Sequence, residues 1–147
     1  MKKGLFAGVA LALAVPALAH HSFAMFDQTR TITWTGVATQ FVAQANHAEL
    51  HFVPLGPDGK AIRDKDGKPL IWGVEMAGAA AVAQQGITVQ AFPAGTVFSV
   101  HLNPLRDGGN FGSRVGAIAK CPKGKFPAPG KNCDSVEGAE ILGGTTF

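Results

Sequence analysis

The chain has 147 residues, with 13 Lys and Arg, 10 Asp and Glu, and 46% hydrophobic residues. That is enough for one domain with a real core and too little for two. Its formal charge is only +3, and two of the basic residues are Lys2 and Lys3, so the rest is close to neutral and lacks the basic stripe of a nucleic-acid binder.

The N-terminus reads as an export signal. Lys2 and Lys3 form a short positive region, and Leu5 to Leu18 is almost wholly apolar and uncharged. The run ends in Ala17-Leu18-Ala19, the small-x-small pattern read by signal peptidase, which places the mature start at His20. It is shorter than the ~20 residues of a comfortable membrane span, and Pro16 breaks a helix just before the cut. An uncleaved anchor is the alternative. The expected organisation is a signal peptide at 1–19, a β-barrel domain at 20–120 and a disulfide loop with C-terminal tail at 121–147. The expected location is periplasmic or secreted, with no membrane attachment after cleavage. Export makes a Cys121–Cys133 disulfide the default, closing a loop rich in Lys, Pro and Gly.

Residues Thr29 to Val42 are rich in Thr, Val, Ile, Trp and Phe and predict one long strand, with Gly36 as a bulge or bend. From His47 to Val53, Ala48, Leu50 and Phe52 alternate with His47, Glu49 and His51, which predicts a half-buried strand with a chemically loaded outer face. Pro57-Asp58-Gly59 and Asp64-Lys65-Asp66-Gly67 mark a polar hairpin loop; the second faintly resembles a calcium loop but lacks the closing Glu. Leu70 to Met76 is a third strand, with Trp72, Val74 and Met76 on one face. Ala-rich Gly78 to Gln85, followed by Gly86, predicts a short helix. Thr96 to Leu102 is a fourth strand, Asp107 to Gly112 a glycine-rich loop, and Arg114 to Lys120 a fifth strand. The tail after Cys133 has little periodicity and is expected to be loosely held. An all-β domain with one short helix follows, in the order of an OB-like five-stranded barrel; a small β-sandwich is the alternative.

The opening His20-His21-Ser22-Phe23-Ala24-Met25-Phe26-Asp27 and the later Pro104-Leu105-Arg106-Asp107-Gly108 resemble a family of small exported bacterial proteins catalogued as a domain of unknown function. Trp72-x-x-Glu75 and Ala94-Gly95-Thr96-Val97 are similar to it as well. The resemblance covers most of His20 to Lys120 and implies an exported all-β domain, with no established activity. This sequence lacks the proline that the family often carries between Asn46 and His47.

Cleavage after Ala19 would free an α-amine on His20, and amine and ring nitrogens can grip one metal together. The amine loses its proton near pH ~7.7–8.0, so displacing it costs little. His21 adds an imidazole, and such nitrogen-rich sites favour Cu(II). The alternative is that both histidines simply follow the cleavage site. His47, Glu49 and His51 share a strand face with neighbours roughly 6.6–6.8 Å apart, either as ligands or as a solvated polar face. His101 is a lone histidine on the fourth strand, a ligand only if barrel closure brings others to it. No tyrosine is present, and the serines lack an elbow motif, so no catalytic set is assigned. Two readings follow. One is a periplasmic metal-binding protein, copper being the expected metal, using His20, His21, His47, His51 and His101. The other is a non-enzymatic OB-like module for a sugar, peptide or protein partner, contacting it through Trp34, Trp72, Arg106 and Phe111.

Overall fold

A computed structural model describes residues 24–147. The expected signal peptide, His20 and His21 lie outside the described residues. The elements are β1 (Ile32–Ala43), β2 (Ala48–Pro54), β3 (Trp72–Glu75), α1 (Ala79–Ala83), β4 (Val97–Pro104), β5 (Phe111–Lys120), a 3-10 turn (Cys133–Ser135) and β6 (Glu140–Leu142).

Strand β1 pairs antiparallel with both β2 and β4, β2 with β3, and β4 with β5, while β3 and β5 pair in parallel. The five strands therefore close into a ring in the order β1-β2-β3-β5-β4, the OB-like barrel that the strand order implies. The inward positions of the alternating strands fill it. Leu50, Phe52, Val74, Phe98, Val100, Leu102 and Ile118 are all fully buried. Helix α1 contributes Val82, and the turn after it adds Ile87 and Phe92 to the same core. Gly86, at φ +78°, ends the helix, and the Ile87 N–H reaches back to the Val82 carbonyl.

Gly36 is not the bulge. The irregularity in β1 falls between Ala38 and Gln40. A Cβ at Gly36 would stand 2.5 Å from the Phe52 ring and 2.9 Å from the Val53 carbonyl oxygen, so the missing side chain lets Phe52 cross β1. The fifth strand starts three residues earlier than its pattern suggests, because Phe111 already pairs with β3 and Gly112 with both β3 and β4.

The tail is held, contrary to its weak periodicity. Cys121 and Cys133 form the disulfide and are buried, and β6 pairs with β5 from Ile118 to Lys120. The buried Ser99 hydroxyl accepts the Cys133 N–H at 2.9 Å and pairs with the Thr35 hydroxyl at 2.6 Å. Thr35 in turn donates to Asn132 Oδ1. The Phe147 ring stacks on His101, with centroids 4.2 Å apart. The tail thus lies over the outer positions of β1 and β4, where Thr35, Ser99 and His101 project, and leaves β2 and β3 uncovered.

The crosslink joins residues 12 apart, a span for which the chain-entropy estimate is about 3 kcal/mol. Replacing both cysteines by serine should lower the urea unfolding free energy by roughly that amount and speed amide exchange at Ile141. An unchanged midpoint would show that packing alone holds the tail.

Candidate functional site on the outer face of strands β2 and β3

Alternation along β2 sends Ala48, Leu50 and Phe52 inward, and the residues between them, Glu49 and His51, outward, with His47 just ahead of the strand. The antiparallel register then sets Glu75 of β3 directly opposite Glu49, and Gly73 opposite His51. Four titratable side chains share this face as two pairs. His47 Nδ1 lies 3.4 Å from Glu75 Oε1, and His51 Nε2 donates to Glu49 Oε2 at 2.9 Å. Glu75 is the residue that a reading for sites passed over. Its outward position follows from the alternation of Trp72, Val74 and Met76, but its pairing with Glu49 depends on a register that only the folded sheet shows.

Burial pushes the Glu75 carboxyl above its ordinary value; the neighbouring His47 opposes that shift and the facing Glu49 adds to it. The Glu75 side chain is 16% exposed and that of His47 41%, so the acid is the desolvated partner. Gly73 shapes the other end of the face. It pairs with Phe111 of β5, and a Cβ there would collide with the Phe111 ring and come 3.4 Å from His51 Cε1. Without one, the Phe111 ring leans across the gap to within 6.4 Å of the His51 ring centroid.

The described N-terminal segment runs to this same point. Phe26 is fully buried, stacks on Phe111 at 6.4 Å and 25°, and bridges Leu105. The Asp27 N–H donates to the Pro104 carbonyl, the Arg106 N–H to the Met25 carbonyl, and Arg106 Nε to the Ala24 carbonyl at 3.1 Å. Asp107 forms the turn by accepting the Gly109 N–H. Hydrogen bonds from Thr29 hold the Asp27 carboxyl below its usual range, and the charges of Arg106 and Arg30 add to that. Residues Ala24 to Asp27, the described end of the stretch that opens at His20, and Pro104 to Gly108 are therefore packed against each other.

The remaining expected residues lie elsewhere. His101 shares a 2.7 Å hydrogen bond with the Thr33 hydroxyl on the β1–β4 side, under Phe147. Trp34 and Trp72 form a tilted pair 5.3 Å apart against the core, and Trp72 is only 9% exposed. Their indole N–H groups are buried and have no partner among the described residues. Arg106 anchors the N-terminal segment, and of the four expected ligand contacts only Phe111 borders the β2–β3 face. Among the described residues, no three His, Cys, Asp or Glu side chains gather as a metal-holding group. No helix among them is long and apolar enough to cross a membrane.

Fold and face together define an OB-like barrel domain with a His/Glu surface at its β2–β3 side. The chain belongs to the Family of unknown function (DUF6152), which matches residues 9–114. The matched span takes in both docked segments and the four-residue face, and stops before the disulfide loop and tail. No curated protein and no solved structure matches the chain.

Because the folded Glu75 carboxyl binds its proton more tightly than an unfolded one, stability falls as pH rises from the ordinary value of 4.5 through the raised one. Glu75→Gln should therefore melt above the wild type at pH 7 in the presence of a chelator. That advantage should shrink as the pH falls through 4.5 and below, where the native acid becomes protonated in both states. An equal difference at both pH values would show that the gain is not electrostatic.

Proposed function

We propose that this protein is an exported metal-binding protein, periplasmic or secreted, whose site takes Cu(II). Its ligands are the amine and ring of His20, the ring of His21, and histidine from the strand face. The observation that carries this reading is the docking of Ala24 to Asp27 on the Pro104–Gly108 turn, beside Phe111 and His51. That docking holds Ala24, four residues after His20 in the sequence, on the turn that leads into Phe111, whose ring borders a surface bearing two His–Glu pairs.

The donors suit the ion. An α-amine and imidazoles form a nitrogen-rich set, which favours Cu(II) among the divalent first-row ions. His47 and His51 each have one ring nitrogen near a carboxylate, at 3.4 and 2.9 Å, the arrangement that orients metal-binding imidazoles and leaves the other nitrogen for the metal. The buried disulfide agrees with an oxidising compartment. The role this supports is a carrier, buffer or sensor, and none of these requires turnover.

A second reading is favoured by where the face lies. OB-like barrels take oligosaccharides and other extended ligands across strands 2 and 3, between the β1–β2 and β4–β5 loops. His47 and Phe111 stand at those two rims. On that reading, the face binds a sugar, peptide or protein partner instead.

Titration of protein beginning at His20 with Cu(II) and Zn(II), beside a form carrying one extra N-terminal alanine, separates the two. The metal reading expects copper to bind more tightly than zinc, and the added residue to weaken copper by at least about tenfold, ~1.4 kcal/mol. Equal, weak binding by both forms would overturn it and leave the organic-ligand reading.

A further inference from the structure

We infer that the cleft between the Pro93–Val97 turn and the Lys120–Gly124 segment is a further binding site, for a small organic anion: a carboxylate or phosphate head on a compact apolar body. This inference is independent of the metal-binding reading.

The cleft follows from the strand ends. Phe98 pairs with Lys120, and the Cys121 N–H donates to the Val97 carbonyl, but beyond that rung the two chains part. One runs back from β4 into the Pro93-Ala94-Gly95 turn, where Gly95 sits at φ +90° and its N–H binds the Ala38 carbonyl. The other leaves β5 through Pro122 and is tied down by the Cys121–Cys133 disulfide. Both walls are therefore fixed before anything binds, which spares a ligand the entropy of ordering them. The space between them is about 320 Å³. That is the small end of the roughly 300–1,000 Å³ typical of small-molecule sites.

The lining has two characters. Pro93, Ala94, Val97 and Pro122 offer apolar surface, and the charged groups are Lys120 and Lys123, with no Asp or Glu lining the cleft among the described residues. Lys120 is the fixed cation. Its side chain is only 19% exposed, and its ammonium stands 6.0 Å from the Phe92 ring centroid. The stem is thus buried while the charge is presented at the cleft. Lys123 is exposed on the outer lip. These charges disfavour a cation, which separates the cleft chemically from the His/Glu face.

Lys120 already meets one carboxylate. Glu140 faces it across the β5–β6 ladder, with Oε2 at 2.9 Å from Nζ. The acid is 59% exposed and does not line the cleft, so the pair is held weakly and an entering anion competes with Glu140 for the ammonium. Glu140 belongs to the tail beyond the family match, and it stands in for the ligand's head.

The test titrates benzoate, phenyl phosphate and neutral benzamide into isotope-labelled protein beginning at His20 and follows amide shifts by nuclear magnetic resonance. Saturable shifts at Thr96, Lys120 and Gly124 are expected with either anion and not with benzamide. Lys120→Met should weaken benzoate at least about tenfold, the loss of a hydrogen bond to a charged group. Lys123→Gln, on the exposed lip, should weaken it about threefold. Glu140→Gln should act in the opposite direction and strengthen benzoate about threefold, because it removes the competitor. Thermal melts without ligand check that each variant folds. Lys123→Gln and Glu140→Gln alter exposed side chains and carry the test if Lys120→Met does not fold. Benzamide binding as well as benzoate, or shifts scattered away from the cleft, would overturn the inference. So would benzoate binding that Glu140→Gln leaves unchanged.

Discussion

The parallel pairing of β3 with β5 is the contact on which the rest depends. It closes the barrel, it is the one parallel pairing among the described strands, and it joins segments nearly forty positions apart. Gly73 against Phe111 is its first rung. A side chain at Gly73 would stand where the Phe111 ring lies, so the closure and the cross-face contact of Phe111 with His51 rest on the same missing Cβ. Because β5 starts there, the β4–β5 turn is carried to the rim of the β2–β3 face. That turn holds residues 24–27. Barrel closure and the placement of the N-terminal segment are thus one structural fact.

The electrostatics of the face follow from the antiparallel register. Two carboxylates, Glu49 and Glu75, stand opposite each other on adjacent strands, an arrangement that is unfavourable for like charges. Each is relieved by a histidine, and by different amounts. Glu49 has a close partner at 2.9 Å, while the Glu75 contact is longer, at 3.4 Å, and Glu75 is the more buried acid. Desolvation makes the Glu75 carboxyl hold its proton more tightly than an ordinary carboxyl does. A sheet face evolved only for solubility has no need to set two acids in register. This one does so beside two imidazoles.

Much of the architecture was legible because it depends on local rules. Strand alternation, the Ala-rich helix with its terminal glycine, and the cysteine pair all speak through residues close in sequence. So did the outward His47-Glu49-His51 row. What escaped depended on long-range partners. Glu140 to Leu142 is too short to show a period and becomes a strand only because β5 offers it an edge. Gly36 looked like a bulge because its real role, leaving room for Phe52, involves a neighbouring strand. Glu75 could not be placed opposite Glu49 without the register. Trp34 and Trp72 had the composition of ligand contacts but face the core, since alternation alone does not tell which side of a barrel strand is the interior. Arg106 drew notice as a surface contact, yet its partner is a backbone carbonyl 82 positions earlier.

The tail distinguishes the outer faces of the barrel from one another. An OB-like barrel of this size has more than one outer surface carrying polar and titratable side chains, and nothing in the barrel itself says which is the working one. Here the segment that lies beyond the family match settles onto the β1–β4 side. The Cys133 N–H binds Ser99, Asn132 binds Thr35, and Phe147 covers His101. Those outer polar groups have protein partners and sit under a crosslinked lid. The β2–β3 side, within the matched span, keeps its His–Glu pairs partly open to solvent, 26–28% for the Glu49–His51 pair. One polar face is consumed by structure and the other is left available beside the docked segment, and the proposed site on β2 and β3 rests on this asymmetry more than on the presence of histidines.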